Sequence, residues 1–257
     1  MRPLAGVLAL VLLPVPASAV PAGRSGELAG NSTPTGLAVS LDERFVAVSH
    51  RGEGGLTVYD RTSFLDGGTD LDVCDDASAV VFTSAPTVGA RFYVGCGAGA
   101  VHHVTPDKSV YPATWATSPA IELNGGVGDV VSISWAPDDT LVHCVVNGED
   151  RYGTWQVSVA EGTAGRALTG DALGAAKGGA MGEDGTPWIV VGEDRTLTFI
   201  SRDVGYSTLG QSAVFPGIVD VAVSNARGLV YVADNVDDVL WTLPTTTVAA
   251  VATQHPA

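Results

Sequence analysis

Residues 219–232 read Val219-Asp220-Val221-Ala222-Val223-Ser224-Asn225-Ala226-Arg227-Gly228-Leu229-Val230-Tyr231-Val232. An alternating apolar run meets a polar turn ending in glycine, and a second alternating run follows. Alternation with a period of two is the mark of a half-buried strand, and β-branched and aromatic residues favour the pleated surface. The stretch therefore predicts two antiparallel strands joined by a short turn.

The same unit recurs along the chain. Gly36-Leu37-Ala38-Val39-Ser40-Leu41-Asp42-Glu43-Arg44-Phe45-Val46-Ala47-Val48 repeats the Ala-Val-Ser strand, the turn and the second strand. Further copies run from Ser132 to Val142, from Gly179 to Val190 and, with a longer turn, from Ala79 to Val94. The second strands begin at Phe45, Phe92, Leu141, Pro187 and Leu229, spacings of 47, 49, 46 and 42 residues. After each comes a polar loop and a third short strand, at residues 56–59, 100–104, 154–159, 196–200 and 239–243. A fourth, less regular strand fits the gaps. Either residues 26–30 or residues 247–253 would serve as the outer strand that closes a ring.

Four strands per repeat at this period is the pattern of a β-propeller, in which small sheets stack radially to bury faces that one sheet cannot bury alone. The expected fold is all-β, with about five four-stranded blades near residues 32–65, 73–110, 126–163, 174–206 and 217–253. The Ala38 to Asp42 strand and turn, with the Tyr93-Val94 and Tyr231-Val232 pairs, resembles the YVTN-type, WD40-like propeller repeat proteins of bacterial and archaeal surfaces. Many such relatives have seven blades. The resemblance thus leaves open a shortened or incomplete ring.

The N-terminus reads as a secretory signal peptide: Arg2, an apolar stretch at residues 4–15, then Ala17-Ser18-Ala19 with cleavage after Ala19. Residues 20–257 form the expected propeller domain, placed in a secreted, periplasmic or cell-surface setting. The chain carries a net charge of −15, which repels phosphate backbones and disfavours nucleic acid. No later run is long and apolar enough to span a membrane. The only lysines are Lys108 and Lys177.

An exported chain with three cysteines should hold one disulfide and one thiol. The repeat register brings Cys74, before the second repeat, near Cys96 at the end of that repeat's second strand. Cys144 then reads as a buried small hydrophobe. Gly95-Cys96-Gly97-Ala98-Gly99 mimics a dinucleotide fingerprint, but a strand rather than a helix follows, so it reads as a turn. His102 and His103 are neighbours on a strand and face opposite sides, and so cannot chelate one ion. His50 and His143 are isolated.

Loops after the second strands carry the candidate binding face: Asn147, Glu149, Asp150 and Arg151; Glu193, Asp194 and Arg195; Asp234, Asp237 and Asp238. In a ring these loops share one face, where their oxygens would suit calcium. Polar loops are also simply what water selects. The acidic run 66–76 lacks the order of an EF-hand loop. No cofactor is expected. With no catalytic motif, the leading reading is a non-catalytic module binding a protein or carbohydrate at the cell envelope. The alternative is an enzyme of the lactonase, glycosidase or quinoprotein dehydrogenase-subunit type, which the resemblance would place at the central channel. The first strands offer only Asp129 and Asp220 as acids for it.

Overall fold

A computed structural model of the chain describes residues 33–51, 55–61, 68–85, 89–110, 113–123, 125–126, 128–136, 141–147, 153–159, 163–169, 176–182, 188–192, 194–201, 207–212, 214–245 and 253–256. These residues form five antiparallel sheets in chain order. The first holds β1 (Thr33–Val39), β2 (Phe45–Arg51), β3 (Gly55–Asp60) and β4 (Thr69–Asp72). The second holds β5 (Ala79–Ala85), β6 (Gly89–Cys96), β7 (Ala100–Asp107) and β8 (Thr114–Thr117), with an added short strand β9 (Ile121–Glu122) on β7. The third is β10 (Asp129–Ser134), β11 (Leu141–Asn147), β12 (Gly153–Ser158) and β13 (Ala164–Thr169). The fourth is β14 (Ala176–Met181), β15 (Trp188–Gly192), β16 (Leu197–Ser201) and β17 (Ser207–Gln211). The fifth is β18 (Ile218–Ser224), β19 (Leu229–Asp234), β20 (Val239–Pro244) and β21 (Thr253–Pro256). Strand order within each sheet follows the sequence, which is the meander of a β-propeller blade.

The strand starts at Phe45, Leu141 and Leu229 coincide with the repeat anchors. Phe92 falls three residues inside β6, and Pro187 lies just outside the described residues. Two details differ. The fourth strand of the last sheet is Thr253–Pro256 rather than 247–253, of which only Thr253 is described. The second sheet has five strands because β9 folds back onto Ala100 and Val101. Residues 1–32, including the expected signal peptide and the alternative closing strand 26–30, lie outside the described residues.

Side-chain alternation explains the stacking. In β15 every residue is buried, although a strand on a half-solvated sheet would bury only alternate ones. Trp188 and Val190 pack with Val145 of the third sheet, whereas Ile189 and Val191 pack with Val230 and Val232 of the fifth. A blade between two others therefore needs an unbroken apolar run. Phe45, Leu56 and Val58 meet Phe82, Phe92 and Val94 across the first and second sheets, with Phe82 and Phe92 edge-to-face at 5.1 Å. Tyr93 and Val101 meet Val142, Cys144 and Val157 across the second and third. Among the described residues no buried cluster joins the fifth sheet to the first. Leu37 and Val39 of β1 and Val219 and Leu240 of the fifth sheet stay exposed.

Cys74 and Cys96 form a disulfide that ties the chain entering the second sheet to the end of β6. Cys144 is buried and free, and burial pushes its thiol far above the ordinary range. The glycine-rich stretch after Cys96 is a tight turn into β7. Ala98 and Gly99 are left-handed there (φ 55° and 58°), a conformation that costs glycine nothing. No helix among the described residues is long and apolar enough to cross a membrane.

Candidate functional site

The first strands of all five sheets meet around a central cavity of about 480 Å³. Four of them carry a β-bulge at the same place in the repeat. The register slips between Pro34 and Gly36, Val130 and Ser132, Ala176 and Gly178, and Ile218 and Asp220. A bulge adds one unpaired residue and re-aims its side chain. The four extra residues, Thr35, Val131, Lys177 and Val219, all line the cavity.

Hydroxyls at the starts of the inner strands fasten the first blade to the second, the second to the third and the third to the fourth. Thr35 Oγ1 donates to Ala77 O at 2.8 Å, Ser78 Oγ donates to Val130 O, and Ser132 Oγ donates to Gly179 O at 2.8 Å. These donors are committed to the scaffold. The charged lining that remains is Lys177 on β14 and Asp220 on β18. Asp220 Oδ1 accepts from the Val221 amide at 2.8 Å. Lys177 is exposed and makes no hydrogen bond or ion pair among the described residues.

Pairing of the first residues of β1, β10, β14 and β18 with the last of β2, β11, β15 and β19 places the loops after the second strands beside the starts of the inner strands. The expected shared face is therefore the rim where the inner strands begin. Its described residues divide by what they do. Asp194 Oδ1 accepts from the Thr196 amide and hydroxyl at 3.1 and 2.7 Å, closing its own turn. Arg195, left-handed at φ 66°, donates to Pro216 O at 2.8 Å. Asp234 is buried and accepts from the Gly217, Val236 and Asp237 amides at 3.0, 2.9 and 3.3 Å. Asn147 sits at the ladder end opposite Asp129 and is half-buried. Of the described residues in these loops, Asp237 and Asp238 are exposed acids. Glu149, Asp150, Arg151 and Glu193 lie outside the described residues. Among the described residues no three His, Cys, Asp or Glu side chains gather as a metal-ligand group.

A cluster on the same rim was only half legible in the sequence. Arg51 pairs with Asp76 across an isolated bridge, and its guanidinium is 3.9 Å from Asp129. A Cβ on Gly97 would lie 3.3 Å from Asp129 Oδ1 and 3.5 Å from Asp76 Oδ2, so two carboxylates converge on that glycine. Asp129 was visible as an acid in a first strand. Asp76 was visible only as the end of an acidic run. Lys177 falls inside the expected fourth blade, near residues 174–206, but outside the first-strand copy read from Gly179; β14 begins at Ala176.

The histidines behave as isolated groups. His102 Nδ1 is 3.0 Å from Ser118 O, while His103 packs 5.7 Å from the Tyr93 ring. Burial, then Arg91 and His102, holds the His103 imidazole below its ordinary pKa. His50 Nε2 is 3.0 Å from Thr57 Oγ1, which itself donates to Asp70 at 2.6 Å. That order makes Thr57 an acceptor from His50, the reverse of what a histidine base activating a hydroxyl requires.

No protein-family model matches this sequence, and no curated protein matches it. Among many similar solved structures is Kuenenia stuttgartiensis hydrazine synthase, with a TM-score of 0.64 at 15% sequence identity. The likeness covers 82% of this chain, which spans 64% of the length of that one. At that identity it is a likeness of fold.

Proposed function

We propose that this chain is an exported β-propeller that binds a ligand at the rim and mouth of its central cavity and does not transform it. The observation that carries the reading is the fate of the cavity hydroxyls. Thr35, Ser78 and Ser132 all donate to backbone carbonyls of the next blade, so they serve stacking rather than nucleophilic attack. The rim acids Asp237 and Asp238, with Glu149, Asp150 and Glu193 expected beside them from the repeat in the sequence, favour a protein or carbohydrate of the cell envelope that presents cationic or hydroxyl groups. Export is supported by the Cys74–Cys96 bond, of a kind common in oxidising compartments and rare in reducing ones. The test is binding of purified envelope polysaccharide and envelope proteins to the protein. It is compared with a variant carrying Asn or Gln at Glu149, Asp150, Glu193, Asp194, Asp237 and Asp238. Saturable binding that weakens at least tenfold supports the reading; unchanged binding overturns it.

A second reading has one observation in its favour. Asp76 and Asp129 converge beside Gly97, and glycoside hydrolysis uses two carboxylates. Turnover of chromogenic glycosides that is lost in Asp129→Asn would establish it in place of the binding reading.

A further inference from the structure

We propose that the central channel holds an amphiphilic carboxylate, with its head at Lys177 and its aliphatic tail running toward Leu41, Trp135 and Met181. The inference rests on reading the channel as the ligand site and names the ligand class.

Three observations carry it. First, the channel has two adjoining cavities, which share Leu37 and Val80 as walls. The one beside Lys177 measures about 480 Å³ and the other about 360 Å³. Each is in the size range of small-molecule sites. Second, the two differ in chemistry. The first contains Lys177 and Asp220; the second is lined by Leu37, Val39, Leu41, Phe82, Trp135 and Met181, with no charged residue among its described lining. Leu37, Val39 and Leu41 are 39%, 45% and 64% exposed, an unusual outlay of apolar surface on one strand and its turn. Third, the repeat sets the spacing. Val39, Trp135 and Met181 each lie four residues past the bulge residues Thr35, Val131 and Lys177. Four residues of extended strand span about 13 Å. An apolar wall thus begins one short alkyl chain away from a cation.

Lys177 suits an anionic head for a specific reason. It is one of two lysines in a chain of net charge −15, and the other, Lys108, is paired with Asp42. A β-bulge turns Lys177 into the cavity, where no described group answers its charge. Asp220, on the neighbouring inner strand, engages only Oδ1 in the Val221 bond, so its second oxygen can accept a hydrogen bond from a hydroxyl or amide beside the carboxylate. A neutral apolar ligand would leave Lys177 unanswered. A cationic amphiphile would meet it head-on.

The test uses isothermal titration calorimetry of the protein with decanoate, 3-hydroxydecanoate, hexanoate and decyltrimethylammonium at physiological ionic strength. Decanoate is expected to bind saturably and more tightly than hexanoate, by about fourfold per methylene if the added carbons are buried. Decyltrimethylammonium is expected to bind at least tenfold more weakly than decanoate despite the acidic exterior. Lys177→Met keeps the apolar stem and should weaken decanoate at least tenfold with an unchanged melting temperature. Asp220→Asn should erase any preference for 3-hydroxydecanoate over decanoate. The inference is overturned if decanoate does not bind, if the cationic amphiphile binds equally well, or if Lys177→Met leaves decanoate binding intact. Those results would leave the envelope-binding reading standing, since the rim variant tests that reading without touching Lys177.

Discussion

Ser132 Oγ donates a hydrogen bond to Gly179 O at 2.8 Å and so fastens the first strand of the third sheet to the first strand of the fourth. Thr35 and Ser78 make the same kind of link between the earlier sheets. Each bond ties the inner strand of one blade to backbone at or beside the inner strand of the next, and so sets their relative height around the channel. Ser132→Ala leaves a carbonyl without its donor. It should cost about 1–2 kcal/mol in urea unfolding. The Thr35→Val and Ser132→Ala losses should add, because the two sites share no partner. A double variant as stable as the parent would show that the apolar clusters alone hold the blades.

The Cys74–Cys96 bond closes a loop with a sequence separation of 22. Replacing both cysteines by alanine should lower stability by about 3 kcal/mol, chiefly by releasing the unfolded chain. Non-reducing peptide mapping should recover the linked peptides. Cys144, fully buried with its thiol pushed up by desolvation, should resist alkylation until the protein unfolds. Rapid alkylation of Cys144 in the native protein would contradict the packing of β11 between two blades.

Asp234 organises the turn after β19 rather than a surface ligand. Burial works against its charge, but the Val236, Gly217 and Asp237 amides outweigh that and hold its carboxyl below the ordinary range. A lowered folded pKa adds stability above the unfolded value, near 3.9, and loses it as pH falls through the folded value. Asp234→Asn should therefore cost about 1–2 kcal/mol at pH 7. Thermal melts should show the gap narrowing below about pH 4. A gap that stays constant into strong acid would mean the amides do not depend on the carboxylate charge.

The repeat was legible because it is written in side-chain alternation and glycine turns, which local physics reads directly. Phe45, Leu141 and Leu229 could be placed as strand starts for that reason. The bulges were not legible. A one-residue slip in Ala176-Lys177-Gly178-Gly179 leaves no mark in a run of small residues, yet it decides that Lys177 faces the channel. The Asp76–Asp129 approach was hidden for a different reason. It joins a connecting segment to the next blade's first strand, and only the stacking brings them together. The rim acids were legible as polar turns, but whether a carboxylate caps its own turn, as Asp194 and Asp234 do, depends on backbone amides that the sequence does not show.

The Asp42–Lys108 pair ties the β1–β2 turn to the turn after β7, with Nζ 2.6 Å from Oδ2. Lys108 also stands 5.4 Å over the Phe45 ring, against which Arg44 packs at 4.7 Å. Burial raises the Asp42 carboxyl, but hydrogen bonds from Lys108, Ser40 and the Arg44 amide overcome it and bring it down from 3.8 to about 2. The stabilisation is present above about pH 4 and is lost as pH falls from about 4 to about 2. Asp42 is 47% exposed, so solvent screening limits the effect to about 1 kcal/mol or less. Lys108→Met removes the ammonium and keeps the stem over Phe45. Its melting temperature should fall below the parent's at pH 7, and the two should converge near pH 2. The difference should also shrink in 1 M salt, where the Debye length is about 3 Å. If the difference persists at pH 2, the Lys108 ammonium acts through the Phe45 ring and not through the carboxylate.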